Sequence, residues 1–325
     1  MHSFLPRAAA FLCLATLLFP SEATVYAEQH PVSPSLPAEV CNKALPANTT
    51  IGQPQNIPIT SSGVLRSYLL VIPPLYTAQA SSPVIFSFHG GNRDAIDQLE
   101  LDELTSPFFN NNSIVVYPQG INQKWEGDPG QTQNDTQLVT DIIASLESIY
   151  CVDSNRIYAT GKSDGGGFCN TLACHPTLST KIAAFAPVSG AFYIDVQPCT
   201  PSSVPIPCSP GRTKVPMLEF HGGKDKTIHY SGQANRSNEC LPTIPHWVRE
   251  WAKRDGLGLK NVTTELTNDT LVYTYGTGNE TGLVTHVFDS SIGHDWPSTE
   301  LNGDSRRDGD APATFNATSM IMEWF

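Results

Sequence analysis

The stretch TGKSDGGGF, residues 160–168, places a serine between two glycines in the order Gly161-Lys162-Ser163-Asp164-Gly165. The apolar run RIYAT precedes the serine and a segment able to form a helix follows it, so Ser163 lies at a predicted strand-to-helix turn. Such a turn is strained and needs small neighbours, which the glycines provide. A serine presented there becomes a nucleophile once a base takes its proton, although the same pattern also occurs in ordinary turns.

A serine nucleophile requires a histidine base and a carboxylate that orients this base. The stretch MLEFHGGKDKTIHY supplies Asp225 in a loop after one apolar run, and FDSSIGHDWPST supplies His294 in a loop after another. The sequence therefore predicts Ser163 as nucleophile, Asp225 as orienting acid and His294 as general base.

Other acids and histidines are weaker candidates for these roles. His286 lies within a predicted strand, and His229 follows Asp225 too closely to return to the serine from the same loop. His221 is interpreted as a loop histidine bonded to the backbone. Asp289 and Asp304 remain alternatives to Asp225 as the orienting acid.

Hydrolysis through a serine also needs N–H donors for the oxygen that becomes negative in the tetrahedral intermediate, and each donor is worth roughly 2.7–4 kcal/mol. The backbone N–H of Asp164, at the start of the predicted helix, is one candidate. The motif His89-Gly90-Gly91 follows the apolar run VIFSF, and its glycines permit close backbone approach. We therefore predict the N–H groups of Asp164 and Gly91 as the oxyanion hole.

The predicted elements bring these groups together. Short apolar runs predict strands at 65–72, 84–88, 114–117, 156–160, 183–188, 217–220 and 284–288. Helical spacing and segment context predict helices at 136–150, 165–174, 244–254 and 313–325. This alternation predicts an α/β fold with a mostly parallel sheet and helices on both faces. Catalytic groups are expected at the carboxyl ends of its strands, which is where Ser163, Asp225 and His294 lie.

The chain is expected to be one folded domain behind a secretory leader. Arg7, an apolar run and a small-residue exit near Ala27 predict a signal peptide over residues 1–27. Residues 28–325 are then a single domain, with an irregular N-terminal arm at 28–58 and a Pro/Cys-rich loop insertion at 192–214. No later segment has the length and apolarity of a membrane span.

Composition fits a secreted protein. The net charge is −12, which argues against nucleic acid or anionic membranes as partners. Removing Cys13 with the leader leaves seven cysteines, enough for three disulfides and one free thiol. A zinc site at Cys169, Cys174 and His175 is disfavoured, because the spacing is not a recognised ligand spacing. Asn-X-Ser/Thr sequons predict glycosylation at Asn48, Asn111, Asn134, Asn235, Asn261, Asn268, Asn279 and Asn316.

Taken together, FSFHGGNRDA, VVYPQGINQKWEGDPG, RIYATGKSDGGGFCNTLAC, PMLEFHGGKDKTIHY and IGHDWPST resemble secreted fungal feruloyl esterases of the α/β-hydrolase superfamily. That branch is related to polyhydroxybutyrate-depolymerase-like esterases and acetyl xylan esterases, and the resemblance extends over residues 41–325. It implies release of ferulic and related acids from feruloylated arabinoxylan, pectin or their oligosaccharides, without a metal or organic cofactor. Ser163, Asp225 and His294 match the family's catalytic residues, and Gly91 and Asp164 its oxyanion donors. No cellulose-binding module is expected.

Substrate contacts are less visible in the sequence. Trp125, in a loop after the run IVVY, is expected either to line the acyl pocket or to anchor its loop in the core. Phe192 and Tyr193 are further candidates for substrate binding. Two other functions stay open: an acetyl xylan or polyester-type esterase with the same catalytic residues, and a non-catalytic carbohydrate-binding relative.

Overall fold

The computed structural model describes residues 41–325, so the predicted leader (1–27) and the first part of the predicted arm (28–40) lie outside the described residues. The strands are β1 Gln55–Ser61, β2 Val64–Val71, β3 Ser82–Phe88, β4 Ile114–Pro118, β5 Val152–Lys162, β6 Ala184–Val188, β7 Met217–Gly222, β8 Gln233–Arg236, β9 Glu239–Leu241, β10 Asn261–Thr267, β11 Thr270–Tyr275 and β12 Val284–Asp289. The α-helices are α1 Ala95–Asp102, α2 Asp135–Ile149, α3 Asp164–Cys174, α4 Leu178–Lys181, α5 Ile244–Arg254, α6 Gly303–Asp308 and α7 Ala317–Trp324.

Within residues 41–325, ten strands form one sheet in the order β1-β2-β4-β3-β5-β6-β7-β12-β11-β10, and β8 and β9 form a separate hairpin. Neighbouring strands from β4 to β12 are parallel, whereas two strands at each edge are antiparallel. The central strand β3 is buried along its whole length, as expected for a sheet covered on both faces. The predicted α/β fold with a mostly parallel sheet is confirmed.

Alternate residues of the central strands face two different cores. Val84, Phe86 and Phe88 of β3 pack with apolar side chains of α2, α3 and α5. Ile85 lies on the opposite face, in a core that includes Ala95 of α1 and receives residues of α7. Burying these large side chains on both faces fixes the sheet, and thereby the strand ends that carry the candidate site.

The sequence patterns missed the polar elements at the edges of the sheet. The predicted arm was expected to run to residue 58, but β1 begins at Gln55 and pairs with β2. β10, with the sequence NVTTELT, is mostly exposed, so it carries no apolar run that would mark it as a strand. The short helices α1, α4 and α6 were also missed, because α4 and α6 contain few apolar residues and α1 is only 8 residues long.

Three disulfides join residues of the described region: Cys41–Cys151, Cys174–Cys208 and Cys199–Cys240. Cys169 is the remaining described cysteine and its thiol is buried. Two of the bonds tie down the segment 192–214, which contains no named helix or strand. In the region that the structure describes, no helix is both long and apolar enough to cross a bilayer.

Candidate active site

Ser163 occupies a sharp turn between β5 and α3. Its φ of 58° lies in the left-handed region, which costs a non-glycine residue strain that the surroundings must offset. The Ser163 N–H donates to the Val188 carbonyl at 3.0 Å, and the N–H groups of Gly167 and Ala191 donate to the Ser163 carbonyl at 2.9 Å each. These backbone bonds hold the turn in place.

The glycines on either side of Ser163 are required by the close approach of neighbouring backbone. A Cβ on Gly161 would lie 2.7 Å from the Gly165 backbone. A Cβ on Gly165 would lie 2.2 Å from the Phe88 carbonyl oxygen, far inside any tolerated contact. The steric reason inferred from the motif is therefore present at both positions.

The three residues predicted from separate loops lie in hydrogen-bond contact. Ser163 Oγ is 2.9 Å from His294 Nε2, and His294 Nδ1 is 2.6 Å from Asp225 Oδ2. Ser163 follows β5, Asp225 follows β7, and His294 follows β12, so three parallel strands of one sheet place all three residues at the same end of the sheet. The geometry allows the serine hydroxyl to donate to His294 while His294 donates to Asp225.

Burial and neighbouring charges determine the ionisation states of Asp225 and His294. Burial raises the pKa of Asp225, but hydrogen bonds from His221 and His294 outweigh burial and hold that pKa well below its usual range. Burial, together with the positive charge of Lys162, lowers the pKa of His294 to about 4 against the opposing effect of Asp225. Asp225 is therefore an anion and His294 is neutral near pH 7, as a general base requires.

A buried network lies behind Asp225. His221 Nδ1 is 2.9 Å from Glu219 Oε1, and His221 Nε2 lies 2.8 Å from the Ile228 carbonyl and 3.3 Å from Asp225 Oδ2. Glu219 also contacts His286 Nδ1 at 2.6 Å. His221 was expected to be a loop histidine; it instead belongs to β7, where it shares a strand face with Glu219.

The two predicted oxyanion donors lie beside the serine. A Cβ on Gly90 would lie 3.3 Å from Ser163 Cβ, and one on Gly91 would lie 2.2 Å from Asp164 Oδ2. The glycine loop (residues 89–91) therefore lies directly beside the serine turn (residues 162–164). Among the described residues, neither the Gly91 N–H nor the Asp164 N–H has a hydrogen-bond acceptor. The Asp164 N–H also begins α3, where the helix dipole favours negative charge. Their role as the oxyanion hole remains a prediction.

His89 and Trp125 hold the glycine loop in position. His89 Nδ1 donates to the Gly90 carbonyl at 2.8 Å, and Nε2 accepts from the Gly120 N–H at 3.0 Å, which fixes a neutral tautomer. Burial lowers the pKa of His89 to about 4. Trp125 donates from Nε1 to the His89 carbonyl at 2.8 Å.

Trp125 and Phe192 do not line the cleft, which corrects two of the three predicted substrate contacts. Trp125 is fully buried and stacks on Phe168. Phe192 is 2% exposed and stacks on Trp247 with ring centroids 3.8 Å apart. Both aromatics follow strands at the right end of the sheet, but each gains more by filling the core beneath its loop than by facing water.

Tyr193, the third predicted contact, does line the cleft above Ser163, a cavity of about 900 Å³. The Arg236 guanidinium donates from Nε to Tyr193 Oη at 3.3 Å. Burial and the carboxylate of Asp164 raise the pKa of Tyr193 to about 12, so its hydroxyl stays protonated. The other lining residues are mostly polar or charged, and they include His294.

Sequence reasoning missed the residues that support the hydrogen-bonded chain of Ser163, His294 and Asp225. Glu219 interrupts the apolar run MLEF, and a charge inside a buried strand needs a partner, so the histidine two positions later was an available signal. The contact of Lys162 with Asp304 joins distant segments, and no local pattern indicates it. The structure also separates the rival acid Asp289 from the site, because its carboxylate bonds Thr270 and Ser291.

The sequence of this chain is similar to those of several known esterases. Over 200 residues the chain is 28% identical to feruloyl esterase B of Piromyces equi, which covers 59% of this chain and 36% of the relative. Over 150 residues it is 31% identical to the bifunctional acetylxylan esterase/xylanase XynS20E of Neocallimastix patriciarum, covering 46% of this chain and 20% of the relative. The chain thus spans well under half the length of these two relatives. No family model matches.

Among solved structures, the acetyl xylan esterase from Aspergillus awamori aligns with a TM-score of 0.56 and 17% identity, over 79% of this chain and 98% of that structure. Similarity at this level establishes the fold. The chain is an α/β-hydrolase by fold and a sequence relative of the fungal feruloyl esterases.

Proposed function

We propose that this protein is a secreted serine esterase that hydrolyses feruloyl and related hydroxycinnamoyl esters of plant cell-wall polysaccharides. The observation that carries the proposal is the hydrogen-bonded chain Ser163–His294–Asp225, assembled at the ends of three parallel strands. A general base in contact with a strained serine and oriented by an ionised carboxylate is the arrangement that acyl transfer requires.

In the first half of the proposed reaction, His294 Nε2 takes the Ser163 proton while the serine oxygen attacks the ester carbonyl. The N–H groups of Asp164 and Gly91 donate to the carbonyl oxygen as it becomes negative. The imidazolium is stabilised by Asp225, 2.6 Å from Nδ1, and then protonates the departing sugar alcohol. An acyl-enzyme remains.

In the second half, His294 removes a proton from a water molecule, which attacks the acyl-enzyme carbonyl. The same two N–H groups stabilise the second tetrahedral intermediate, and the serine leaves with the proton returned by His294. Asp225 keeps its charge throughout, since its low pKa prevents it from accepting a proton.

The choice of a hydroxycinnamoyl acyl group is supported by the relatives named feruloyl esterases. The large polar cleft suits the sugar part of a feruloylated arabinoxylan or pectin fragment. Tyr193 supplies an aromatic face and a protonated hydroxyl for the phenolic acid.

A substrate series tests this choice. We expect the protein to hydrolyse methyl ferulate, caffeate and sinapate with higher kcat/KM than an acetyl ester, and to release ferulate from feruloylated arabinoxylan. Tyr193→Ala should raise KM for the aromatic esters more than for the acetyl ester, whereas Tyr193→Phe should retain the stacking. An equal rise in KM for the aromatic and acetyl esters would show that Tyr193 does not contact the aromatic acyl group.

A second candidate function is the removal of acetyl groups from xylan. It is favoured by the 31% identity to the acetylxylan esterase/xylanase of Neocallimastix patriciarum. Release of acetate from acetylated xylan without release of ferulate would select this alternative. Sugar binding without turnover of any ester would instead indicate a non-catalytic carbohydrate-binding protein.

Secretion is part of the proposal. Three disulfides are typical of proteins that fold in an oxidising compartment. None of the eight sequon asparagines is buried, and five are exposed: Asn48, Asn134, Asn235, Asn268 and Asn279. Mass spectrometry of the secreted protein would locate the mature N-terminus and the glycans.

A further inference from the structure

Lys162, the residue directly before the candidate nucleophile, forms a buried ion pair. Its Nζ lies 2.9 Å from Asp304 Oδ2, and both side chains are only 6% exposed. Lys162 ends β5, whereas Asp304 belongs to α6, far along the chain. The cost of removing two charges from water often equals or exceeds the attraction between them, so a buried ion pair need not stabilise the fold. The position of this pair beside the nucleophile therefore suggests a functional reason for it.

Asp304 connects this lysine to the histidine loop. Its Oδ2 also accepts from the Trp296 N–H at 3.1 Å, two residues beyond His294. Its Oδ1 accepts from Arg307 at 2.9 Å. One carboxylate therefore bonds the strand that carries the nucleophile and the loop that carries the base.

We propose that the Lys162–Asp304 pair is a positioning device that fixes the histidine loop against the serine turn and, through its two opposed charges, sets the pH range in which His294 acts as a base. Lys162 disfavours a second positive charge nearby, and Asp304 favours it. The balance of the pair leaves His294 neutral in mildly acidic solution. This inference rests on the proposed ester hydrolysis.

Several charged groups act on the histidine from different elements. Asp225 after β7 and Asp304 in α6 favour the imidazolium, while Lys162 in β5 and burial disfavour it. His221 lies behind Asp225, 3.3 Å from its Oδ2. Asp295, next to His294, interacts mainly with Asp310 and Asp304, and burial raises its pKa to about 7.

Opposite charge removals should move the pH profile in opposite directions. Lys162→Met removes a positive charge that disfavours the imidazolium while the Asp304 carboxylate stays in place, so the acid limb of kcat/KM should move up by about one pH unit. Asp304→Asn leaves Lys162 unopposed, so the limb should move down. The double variant should lie between them, and Lys162→Arg, which keeps the charge, should leave the limb where it is in the parent.

Folding of the variants is checked by thermal melting, because both residues are buried. In Lys162→Met, Asp304 keeps its bonds to Arg307 and the Trp296 N–H, so this variant is expected to fold. NMR titration of the His294 ring reads the same shift without any turnover.

The outcomes separate the possibilities. Opposite shifts in the two single variants support the inference. Lower activity at every pH with an unmoved limb, or shifts in the same direction, would overturn it. A parent protein that hydrolyses no ester contradicts the proposed function, and the NMR titration then decides the inference alone.

Discussion

Replacing Asp225 with asparagine changes one atom behind the site and keeps the shape of the side chain. Asp225 Oδ1 accepts from the Thr227 and Ile228 N–H groups at 2.8 Å each. The amide oxygen of the asparagine should stay at this position, because an NH₂ group there would face two donors. The NH₂ group then replaces Oδ2, which lies 2.6 Å from His294 Nδ1.

A donor at this position reverses the histidine tautomer. His294 Nδ1 must accept instead of donating, so the ring proton moves to Nε2. Nε2 then can no longer accept the Ser163 proton across the 2.9 Å contact. A wrong tautomer with intact geometry costs about 10⁴ in kcat, equivalent to about 5.4 kcal/mol of barrier.

The measurement is kcat/KM for methyl ferulate near pH 7, where His294 is neutral in the parent. Asp289→Asn is the matched control, since Asp289 is a buried acid at the end of β12 whose oxygens bond Thr270 and Ser291. We expect the control to stay within about tenfold of the parent. A folded Asp225→Asn variant with more than about a tenth of the parent activity would refute the tautomer reasoning.

Three further predictions concern the turn, the pH profile and a disulfide. Gly165→Ala should lose about 3 kcal/mol or more of unfolding free energy, because its Cβ would lie 2.2 Å from the Phe88 carbonyl; an unchanged denaturant midpoint would contradict this. Since the pKa of His294 is lowered to about 4 and the base must be neutral, kcat/KM should stay level down to about pH 5 and fall below it; a limb near pH 6.5 would contradict the burial argument. Replacing Cys41 and Cys151 with serine opens a crosslink between residues 110 apart and should cost about 4–5 kcal/mol, measured by urea unfolding; a loss under about 1 kcal/mol would show that the crosslink constrains little.

The sequence predicted that Ser163, Asp225 and His294 would lie together, because each of them follows an apolar strand. Runs such as VIFSF and MLEF are buried parallel strands, and parallel strands end at the same edge of the sheet. Ser163, Asp225 and His294 therefore converge once the strand order is right. The end of a strand is marked by residues that are neighbours in the sequence, so it can be predicted without knowledge of the fold.

Side-chain direction could not be predicted in the same way. Trp125 and Phe192 both follow strands at the correct edge, yet each ring turns inward and stacks on another aromatic side chain. Whether an aromatic faces the cleft or the core depends on the space beneath its loop, which is created by distant helices. Tyr193, next in sequence to Phe192, faces the cleft instead.

The supporting contacts were also hidden because they join remote segments. The pair Lys162–Asp304 and the contact of Glu219 with His286 cross between elements far apart in sequence. The edge strand β10 was missed for a different reason: it is largely exposed and polar, so neither apolar continuity nor alternation marks it.

The most direct test of the account is ferulate release from methyl ferulate and feruloylated arabinoxylan by the parent and by Ser163→Ala. We predict release by the parent and a loss of roughly a thousandfold or more in the variant, with an unchanged melting curve. Comparable release by a folded Ser163→Ala protein would contradict the role assigned to the serine and, with it, the proposed mechanism.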